Sequence, residues 1–591
     1  MPETLVPATL RYAEGTPYSD AFGERYHNPD GGIEKKRHVF LGGNDLPARW
    51  AARRRFVILE TGFGLGLNFL ITLQAWRRDP ARCERLHFVS IEKHPFSLSD
   101  LRTLHAAYPQ LEQEAAELHA RWPLLLPGAH RLQFGNAVLT LHFADIKALR
   151  DLRLAADAIY LDGFSPAKNA EMWTPAAFRA LSRLAAPGAT AATWSIDRAV
   201  QHALEETGFA VEKRPGFGAK REMLVARNIR NAETFQPPEK KAAVIGAGLA
   251  GAAVCERLCA LGWEVDLYER QAAPAQEASG NHAGAFHPIV TSDDSVFARL
   301  TRAGFLSAIS SFRRLERLRW DPCGVLQLAR DEKEESAQRR SMAALALPPE
   351  YAQYVTREEA SAHAGVPVSA PGLWFPQAGW IQPQSLVRAQ LEACGSRLRT
   401  FFGKSISALP HAPVVILANS AEAPKLQPVP HLRLRQVRGQ LTHVSADAIE
   451  APRVVVLRGG MVLPAVEGVC VVGASYDLED DDPLPRAASD AGNLERLKRI
   501  LGVDTSFLDN MNHRVAFRAV APDRLPVVGK IAHGVYGAFA YGSRGLIWAA
   551  LAAELIAAEL EGEPLPLEGK LVDALHPNRF ARRAGSRGSR P

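Results

Sequence analysis

Two glycine-rich loops, each placed directly after a short apolar run, lie about 180 residues apart on one chain of 591 residues. The first, Glu60-Thr61-Gly62-Phe63-Gly64-Leu65-Gly66, follows Phe56-Val57-Ile58-Leu59 and leads into the helix-like Leu67-Asn68-Phe69-Leu70-Ile71. The second, Gly246-Ala247-Gly248-Leu249-Ala250-Gly251, follows Ala242-Ala243-Val244-Ile245, with Glu269 eighteen residues beyond its last glycine. A buried strand, a tight glycine turn and a helix N-terminus make a nucleotide-binding unit, because only glycine lets the backbone approach the ligand so closely. The first loop has the shape that holds S-adenosylmethionine, and the second has the spacing of a dinucleotide-binding βαβ unit. The pattern predicts a methyl-transfer domain fused to a flavin or nicotinamide domain.

A chain of this length is expected to form at least two cores. Apolar residues at 47% and charged residues at 23% are ordinary for a globular protein. A formal charge of +6 and a sequence pI near 9.0 suit a partner rich in phosphates, although a merely basic enzyme has the same balance. Six cysteines contain no CxxC pair, and Cys255 and Cys259 stand one helical turn apart, as buried small residues do; no metal site is expected. The N-terminus has no charged-then-apolar signal pattern. The apolar stretch from Leu546 to Leu560 is interrupted by Glu554 and Glu559 and is too short to span a bilayer. The expectation is a reduced, cytoplasmic, monomeric protein with no membrane contact.

Residues 1–235 alternate strand-like and helix-like segments, with Phe56-Leu59, His87-Glu92, Thr140-Phe143, Ala158-Leu161 and Thr190-Thr193 as buried parallel strands of a doubly wound α/β sheet. The polar segment from Asn228 to Lys240 lacks periodicity, contains Pro237-Pro238 and is the expected linker. From residue 241 a second α/β unit begins. After Gln271 its alternation lapses, and Val414-Ile416, Gln440-His443, Val454-Leu457 and Val469-Val472 are expected in a mixed sheet. The domains are therefore placed at 1–235 and 241–580, followed by a basic, flexible tail at 581–591.

In the first domain Gly62, Gly64 and Gly66 are expected around the cofactor, with Glu60 facing its cationic methionine portion. Glu92 ends the next strand, where a carboxylate can accept both ribose hydroxyls, and Asp145 follows the third strand as an adenine contact or as a loop carboxylate with no role. The loop Asp162-Gly163-Phe164-Ser165-Pro166-Ala167-Lys168-Asn169 sits at the carboxyl end of the fourth strand, where open α/β sheets hold ligands. Asp162 can orient or deprotonate an attacking amine, Phe164 can stack on a base and Lys168 can meet a phosphate.

Together with Gly15-Thr16-Pro17-Tyr18-Ser19, Phe22, Arg37-His38-Val39-Phe40-Leu41-Gly42-Gly43-Asn44, Met172-Trp173 and Gly216-Phe217-Gly218-Ala219-Lys220-Arg221-Glu222-Met223-Leu224, these residues resemble the methyltransferase half of a bacterial family of bifunctional enzymes. That family finishes 5-methylaminomethyl-2-thiouridine at the tRNA wobble position. His27, after Tyr26, departs from the aromatic residue expected there.

In the second domain Gly246, Gly248, Gly251 and Glu269 fit a dinucleotide whose ribose 2′-hydroxyl is free, while Ser279 and Gly280 are small residues suited to the passage of a flavin pyrophosphate and ring. Further on, Arg458-Gly459-Gly460-Met461-Val462-Leu463-Pro464, Val471-Val472-Gly473-Ala474-Ser475-Tyr476 and Phe517-Arg518-Ala519-Val520-Ala521-Pro522-Asp523 resemble the D-amino-acid and glycine oxidase superfamily in order and spacing. The resemblance implies FAD. It also implies a helix opening at Ser543, Gly545 and Leu546 that points its N-terminus at the flavin. Arg518 matches the position that grips a substrate carboxylate, with Arg544 the next candidate. His282, His287 and His513 receive no catalytic role.

Taken over nearly the whole chain, the resemblance implies two reactions on one nucleoside. An FAD-dependent oxidation would remove the carboxymethyl group from carboxymethylaminomethyl-thiouridine, and S-adenosylmethionine would then methylate the freed amine. The partner would be tRNA, its anticodon loop splayed into each pocket in turn. Phosphate contacts are expected from Lys35, Lys36, Arg37, Arg53, Arg54, Arg55, Lys168, Lys220 and Arg221. One alternative keeps both enzymes but replaces tRNA with a free amino acid or peptide amine. Another is a redox-sensing, RNA-binding flavoprotein, against which the intact glycines and Asp162 count.

Overall fold

The computed structural model describes residues 4–13, 16–19, 21–26, 32–218, 220–230, 235–506, 508 and 511–588. Gly15, His27, Ala219, linker residues 231–234 and tail residues 589–591 lie outside them. The chain divides into two compact units, one formed by Glu3–Pro237 with Gly562–Gly569 and the other centred on Pro238–Glu561 and Lys570–Pro591.

The first unit is built on an eight-stranded sheet. Its middle five strands, in the order Ala185–Thr193, Ala156–Tyr160, Arg55–Glu60, Arg85–Glu92 and Ala137–Phe143, are parallel and include all five expected from the sequence. Their near-continuous apolar runs are buried on both faces, and two separate apolar clusters cover the sheet. The sequence reading missed the antiparallel edges: Gly128–Phe134 on one side, Glu222–Asn228 and Phe209–Pro215 on the other. Edge strands bury only part of their surface, so their apolar pattern is broken by Arg131, Glu212 and Lys213.

Residues 562–569 belong to this unit although they are remote in sequence. Glu563 is fully enclosed and pairs with Arg85 Nε at 2.7 Å and Arg131 Nη2 at 3.1 Å, beside the His87 ring. Arg131 Nη1 also donates to the Pro564 carbonyl at 3.0 Å, and Leu565 N–H to the Arg153 carbonyl at 3.1 Å. Burial works to raise the Glu563 carboxyl, but His87, Arg85 and Arg131 outweigh it and hold the group well below the ordinary carboxylate range. A group whose folded-state value lies below its unfolded one stabilises fully above the unfolded value, and the contribution is lost as the pH falls through the folded one. Glu563→Gln should therefore lower the melting temperature of this unit by several degrees at neutral pH, because it removes the buried negative charge that Arg85 and Arg131 share. The difference from the unaltered chain should shrink as the pH drops below about 4, which differential scanning calorimetry would follow.

The second unit carries a six-stranded sheet in the order Leu398–Phe401, Glu264–Tyr268, Lys241–Ile245, Val414–Leu417, Val535–Phe539 and Val527–Ala532, parallel except for the last strand. Val414–Leu417 thus belongs to the nucleotide-binding sheet and not, as expected, to the mixed one. Its four residues are all buried, as a central parallel strand demands. The other three expected segments do lie in a separate nine-stranded sheet that mixes parallel and antiparallel pairs.

The helix Gly545–Glu561 packs against the helices Leu249–Ala260 and Val296–Phe312, which explains its apolarity on nearly every side. Among the described residues no helix is long and apolar enough to cross a membrane. Of the stretch expected to be a flexible tail, residues 581–588 belong to the helix Arg579–Gly588, and Arg579 and Arg583 pair with Asp523 at 2.9 and 2.6 Å. Those ion pairs oppose the solvation that the composition alone suggested.

Candidate active sites

In the first unit the strand Arg55–Glu60 delivers the loop 61–66 to the carboxyl edge of the sheet, and the helix Leu67–Arg78 follows at once. Gly64 and Gly66 adopt φ of +52° and +74°, which L side chains rarely take. The loop closes on Glu92, whose two carboxylate oxygens accept the N–H of Gly64 and of His94, each at 2.7 Å. Glu92 also lines a cavity of about 420 Å³, with Gly62, Gly64, Asp145 and Asp162. A Cβ on Gly62 would stand 3.2 Å from the Asp162 carbonyl, so the glycine loop and the Asp162 loop form opposite lips of one space.

Asp162 is held from three directions. Its Oδ2 accepts Lys36 Nζ at 2.6 Å and Asn68 Nδ2 at 2.7 Å, and its Oδ1 accepts the Gly163 N–H at 3.0 Å. Asn68 Nδ2 donates equally to Glu60 Oε1 at 2.7 Å, and Ser90 Oγ donates to Glu60 Oε2 at 2.7 Å. Glu60 is wholly enclosed and does not line the cavity, contrary to the expectation that it meets the cofactor. Burial first, then the neighbouring Asp162, pushes its carboxyl up to about 8. Glu60 thus reaches the site through Asn68, a residue of the helix Leu67–Arg78 that no motif in the sequence marks.

Other expectations divide. Gly66 starts the helix and packs under the Phe63 ring without lining the cavity. Asp145 lines it while also capping the following turn through the Lys147 N–H and pairing with Lys93 at 3.0 Å. Phe164 is stacked on Phe22 at 4.7 Å between centroids and meets the Tyr26 ring edge-on at 5.2 Å, so part of the surface expected for a base is already covered.

Lys35 and Lys220 both stand over Trp194 at the cavity wall, at 5.5 and 3.5 Å from its centroid. Burial, reinforced by Lys35, brings Lys220 down to about 8. Trp194 has no sequence signal, because it follows the fifth parallel strand as any strand-end aromatic does. Arg53 and Arg54 precede, and Arg55 begins, the strand whose far end carries Glu60, roughly 17 Å away at about 3.3 Å per residue, and so all three lie at the opposite sheet edge. Arg53 is paired with Asp157 at 3.0 Å and Arg37 with Gln74 at 2.7 Å.

In the second unit a cavity of about 540 Å³ is lined by Gly246, Gly248, Glu269, Ser279, Arg518 and Arg544, with Ser543, Gly545 and Leu546 at its helix end. Gly246 has φ +104°, and a Cβ there would press on the Ala418 carbonyl at 2.7 Å. Glu269 accepts the Ala247 N–H at 2.8 Å and the Gln271 N–H at 2.9 Å, the same bracing that Glu92 gives the other loop. Gly251 and Gly280 do not line the cavity. Added Cβ atoms would strike the Gly246 carbonyl at 1.8 Å and Arg514 at 2.2 Å, so these two glycines serve close packing.

Among the described residues, three buried polar atoms on the cavity wall have no hydrogen-bond partner: Asn281 Oδ1, Asn419 Oδ1 and the Tyr541 hydroxyl. A ligand carrying hydroxyls and ring N–H groups suits them, and so FAD fits this wall. Arg518 lies in the strand Asn512–Val520, its guanidinium against Gly439, where a Cβ would stand 2.6 Å away. Among the described residues its one hydrogen bond is to the Ser475 carbonyl at 3.5 Å, and Arg544 likewise reaches only the His287 carbonyl at 3.4 Å. Burial depresses both, Arg544 to about 10. His287, buried and brought down to about 3 by burial and then by Arg544, holds the Pro288 carbonyl and carries no charge at neutral pH.

A glycine-loop pocket holding an ionisable carboxylate, and a dinucleotide cavity holding two under-partnered guanidiniums, define a methyltransferase joined to a flavin-dependent oxidoreductase. Residues 241–559 match the family of FAD dependent oxidoreductases, and residues 109–229 match that of S-adenosyl-L-methionine-dependent methyltransferases. Over 98% of both chains the sequence is 46% identical to the tRNA 5-methylaminomethyl-2-thiouridine biosynthesis bifunctional protein of Azoarcus sp., and over the full length of both it is 45% identical to that of Paraburkholderia phytofirmans. Among solved structures, glycine oxidase from Geobacillus kaustophilus superposes with a TM-score of 0.50 at 18% identity, covering 57% of this chain and 98% of its own, which shows the fold. The chain belongs to the family of bifunctional proteins of tRNA 5-methylaminomethyl-2-thiouridine biosynthesis. Its cofactors are FAD and S-adenosylmethionine.

Proposed function

We infer that this chain carries out two successive steps on the wobble uridine of tRNA, removal of a carboxymethyl group and then N-methylation of the amine left behind. The observation that carries the reading is the full-length kinship at 46% identity. In the first step the C–N bond of the carboxymethylamino group loses two electrons and two protons to give an imine, which water splits into glyoxylate and the aminomethyl nucleoside. FAD, when bound, accepts the two electrons. Arg518 holds the substrate carboxylate in a bidentate grip, and Arg544 adds positive charge to the same wall.

In the second step the amine approaches Asp162. Lys36 and Asn68 occupy its Oδ2, while Oδ1, which among the described residues accepts only the Gly163 N–H, has a lone pair left to orient the amine and receive its proton. S-adenosylmethionine, when bound, supplies the methyl group. Asp162→Asn should slow methylation by about 100-fold while oxidation survives, so that the aminomethyl nucleoside accumulates. Nucleoside mass spectrometry of the treated tRNA reads this directly, and a normal methylaminomethyl yield would remove Asp162 from the mechanism. Incubating the purified protein, both cofactors and tRNA bearing the carboxymethylaminomethyl group tests the whole reading by the same method. A protein that converts only small amines would support the free-amine alternative.

The phosphate footprint is drawn to Lys35, Lys168, Lys220 and Arg221. Lys35 and Lys220 line the cavity, and Lys168 and Arg221 are exposed. Affinity for tRNA should therefore fall more than tenfold between about 50 and 200 mM salt, as counterion release by several phosphate contacts requires. Fluorescence anisotropy across a salt series checks this. The protein is proposed to act as a cytoplasmic monomer.

A further inference from the structure

Tyr476 is the one large apolar residue of the flavin-cavity lining that is more than half exposed, at 51%. Among the described residues it makes no ring contact and no side-chain hydrogen bond. Its backbone, in contrast, is pinned on both sides. Ser475 N–H donates to the Gln440 carbonyl at 3.1 Å, and Ser475 Oγ accepts the Gln440 N–H at 3.1 Å and donates to Asp477 Oδ2 at 2.8 Å. Asp477–Leu478 then pairs as a short strand with Val437 and Arg438, and the fully enclosed Arg438 reaches Asp477 Oδ2 at 3.3 Å and the carbonyls of Asp482 and Leu484 at 2.8 and 2.6 Å. A half-exposed aromatic ring on a fixed backbone costs little conformational entropy to use, which is the physical mark of a stacking platform.

Its position matches the substrate. The Ser475 carbonyl, one residue earlier, is the group that Arg518 touches. From a carboxylate carbon to the C5 atom of a pyrimidine, the carboxymethylaminomethyl arm spans four single bonds of about 1.5 Å each. A carboxylate on Arg518 therefore brings the ring of the base to the neighbourhood of Tyr476.

We propose that Tyr476 is the platform on which the pyrimidine ring of the substrate nucleotide stacks during oxidation, selecting a nucleobase-linked amine over a free one. The proposal rests on the tRNA reading above. Because stacking is uncharged, its contribution is independent of salt, unlike a phosphate contact.

The test uses the full-length flavoprotein and tRNA bearing the carboxymethylaminomethyl group. Tyr476→Ala should keep the flavin absorbance and raise KM for tRNA oxidation by roughly 5- to 150-fold, the range that loss of one base–aromatic stack produces. The ratio should be the same at low and physiological salt, and Tyr476→Phe should stay within about twofold of the unaltered chain. A KM for Tyr476→Ala within twofold of the unaltered chain would overturn the proposal. So would loss of flavin, which would make the residue structural, or equal damage in Tyr476→Phe, which would assign the effect to the hydroxyl. If the unaltered chain leaves the tRNA unoxidised, the functional reading itself fails, and this outcome is separate from a failure at Tyr476.

Discussion

Arg518→Ala should leave FAD bound and slow oxidation of the carboxymethylaminomethyl group by roughly 30- to 1000-fold, the effect of losing about 2 to 4 kcal/mol of charge-assisted, bidentate contact. The size follows from where the guanidinium sits. It is largely buried, lines the flavin cavity and among the described residues has one long hydrogen bond at 3.5 Å, so most of its donors are unused until a carboxylate arrives. Gly439 keeps the place open, since any side chain there would push the guanidinium aside. The variant should still methylate tRNA supplied with the aminomethyl group, because Asp162 and Lys36 belong to a different cavity. Steady-state oxidation and nucleoside mass spectrometry read the two halves separately. Loss of flavin from the variant would make Arg518 a structural residue. Normal oxidation would move the carboxylate to Arg544, the other under-partnered guanidinium on that wall.

The parts of this molecule that were legible in the sequence are those where backbone geometry dictates the residue. Gly64, Gly66 and Gly246 hold positive φ, and Glu92 and Glu269 close their loops by accepting backbone N–H groups, so spacing alone located both glycine loops and the cavities they border. The five parallel strands were legible because burial on both faces leaves an uninterrupted apolar run. What spacing cannot carry is which way a side chain turns once the chain has folded. Glu60 ends its strand as a cofactor ligand would, yet Asn68 and Ser90 draw it into the interior. Gly251 and Gly280 sit inside recognisable motifs but answer to close packing.

Long-range assembly was equally silent. Nothing near Glu563 announces that it closes an ion cluster with Arg85 and Arg131, more than 400 residues earlier in the chain. The basic run Arg53-Arg54-Arg55 looked like a phosphate footprint because charge is visible in sequence, whereas the sheet edge on which it falls is not.

Gly248→Val should abolish flavin binding while leaving methylation of aminomethyl-bearing tRNA intact. At this position a bare Cβ would stand 2.9 Å from Ser279 Oγ, and that hydroxyl already accepts the Leu249 N–H at 3.0 Å at the start of the helix. The two γ-methyl groups of valine have only the cavity to enter, and they would fill the space that the backbone keeps clear for a pyrophosphate. Relief by backbone movement is restricted, because the space beside Gly246 is closed by the Ala418 carbonyl and that beside Gly251 by the Gly246 carbonyl. Moving Ser279 aside would strip the helix N-terminus of one acceptor while still leaving the methyl groups in the phosphate path. Absorbance between the protein and flavin bands of the purified variant measures the outcome, and retention of flavin at the stoichiometry of the unaltered chain would show that the cofactor does not pass over this glycine.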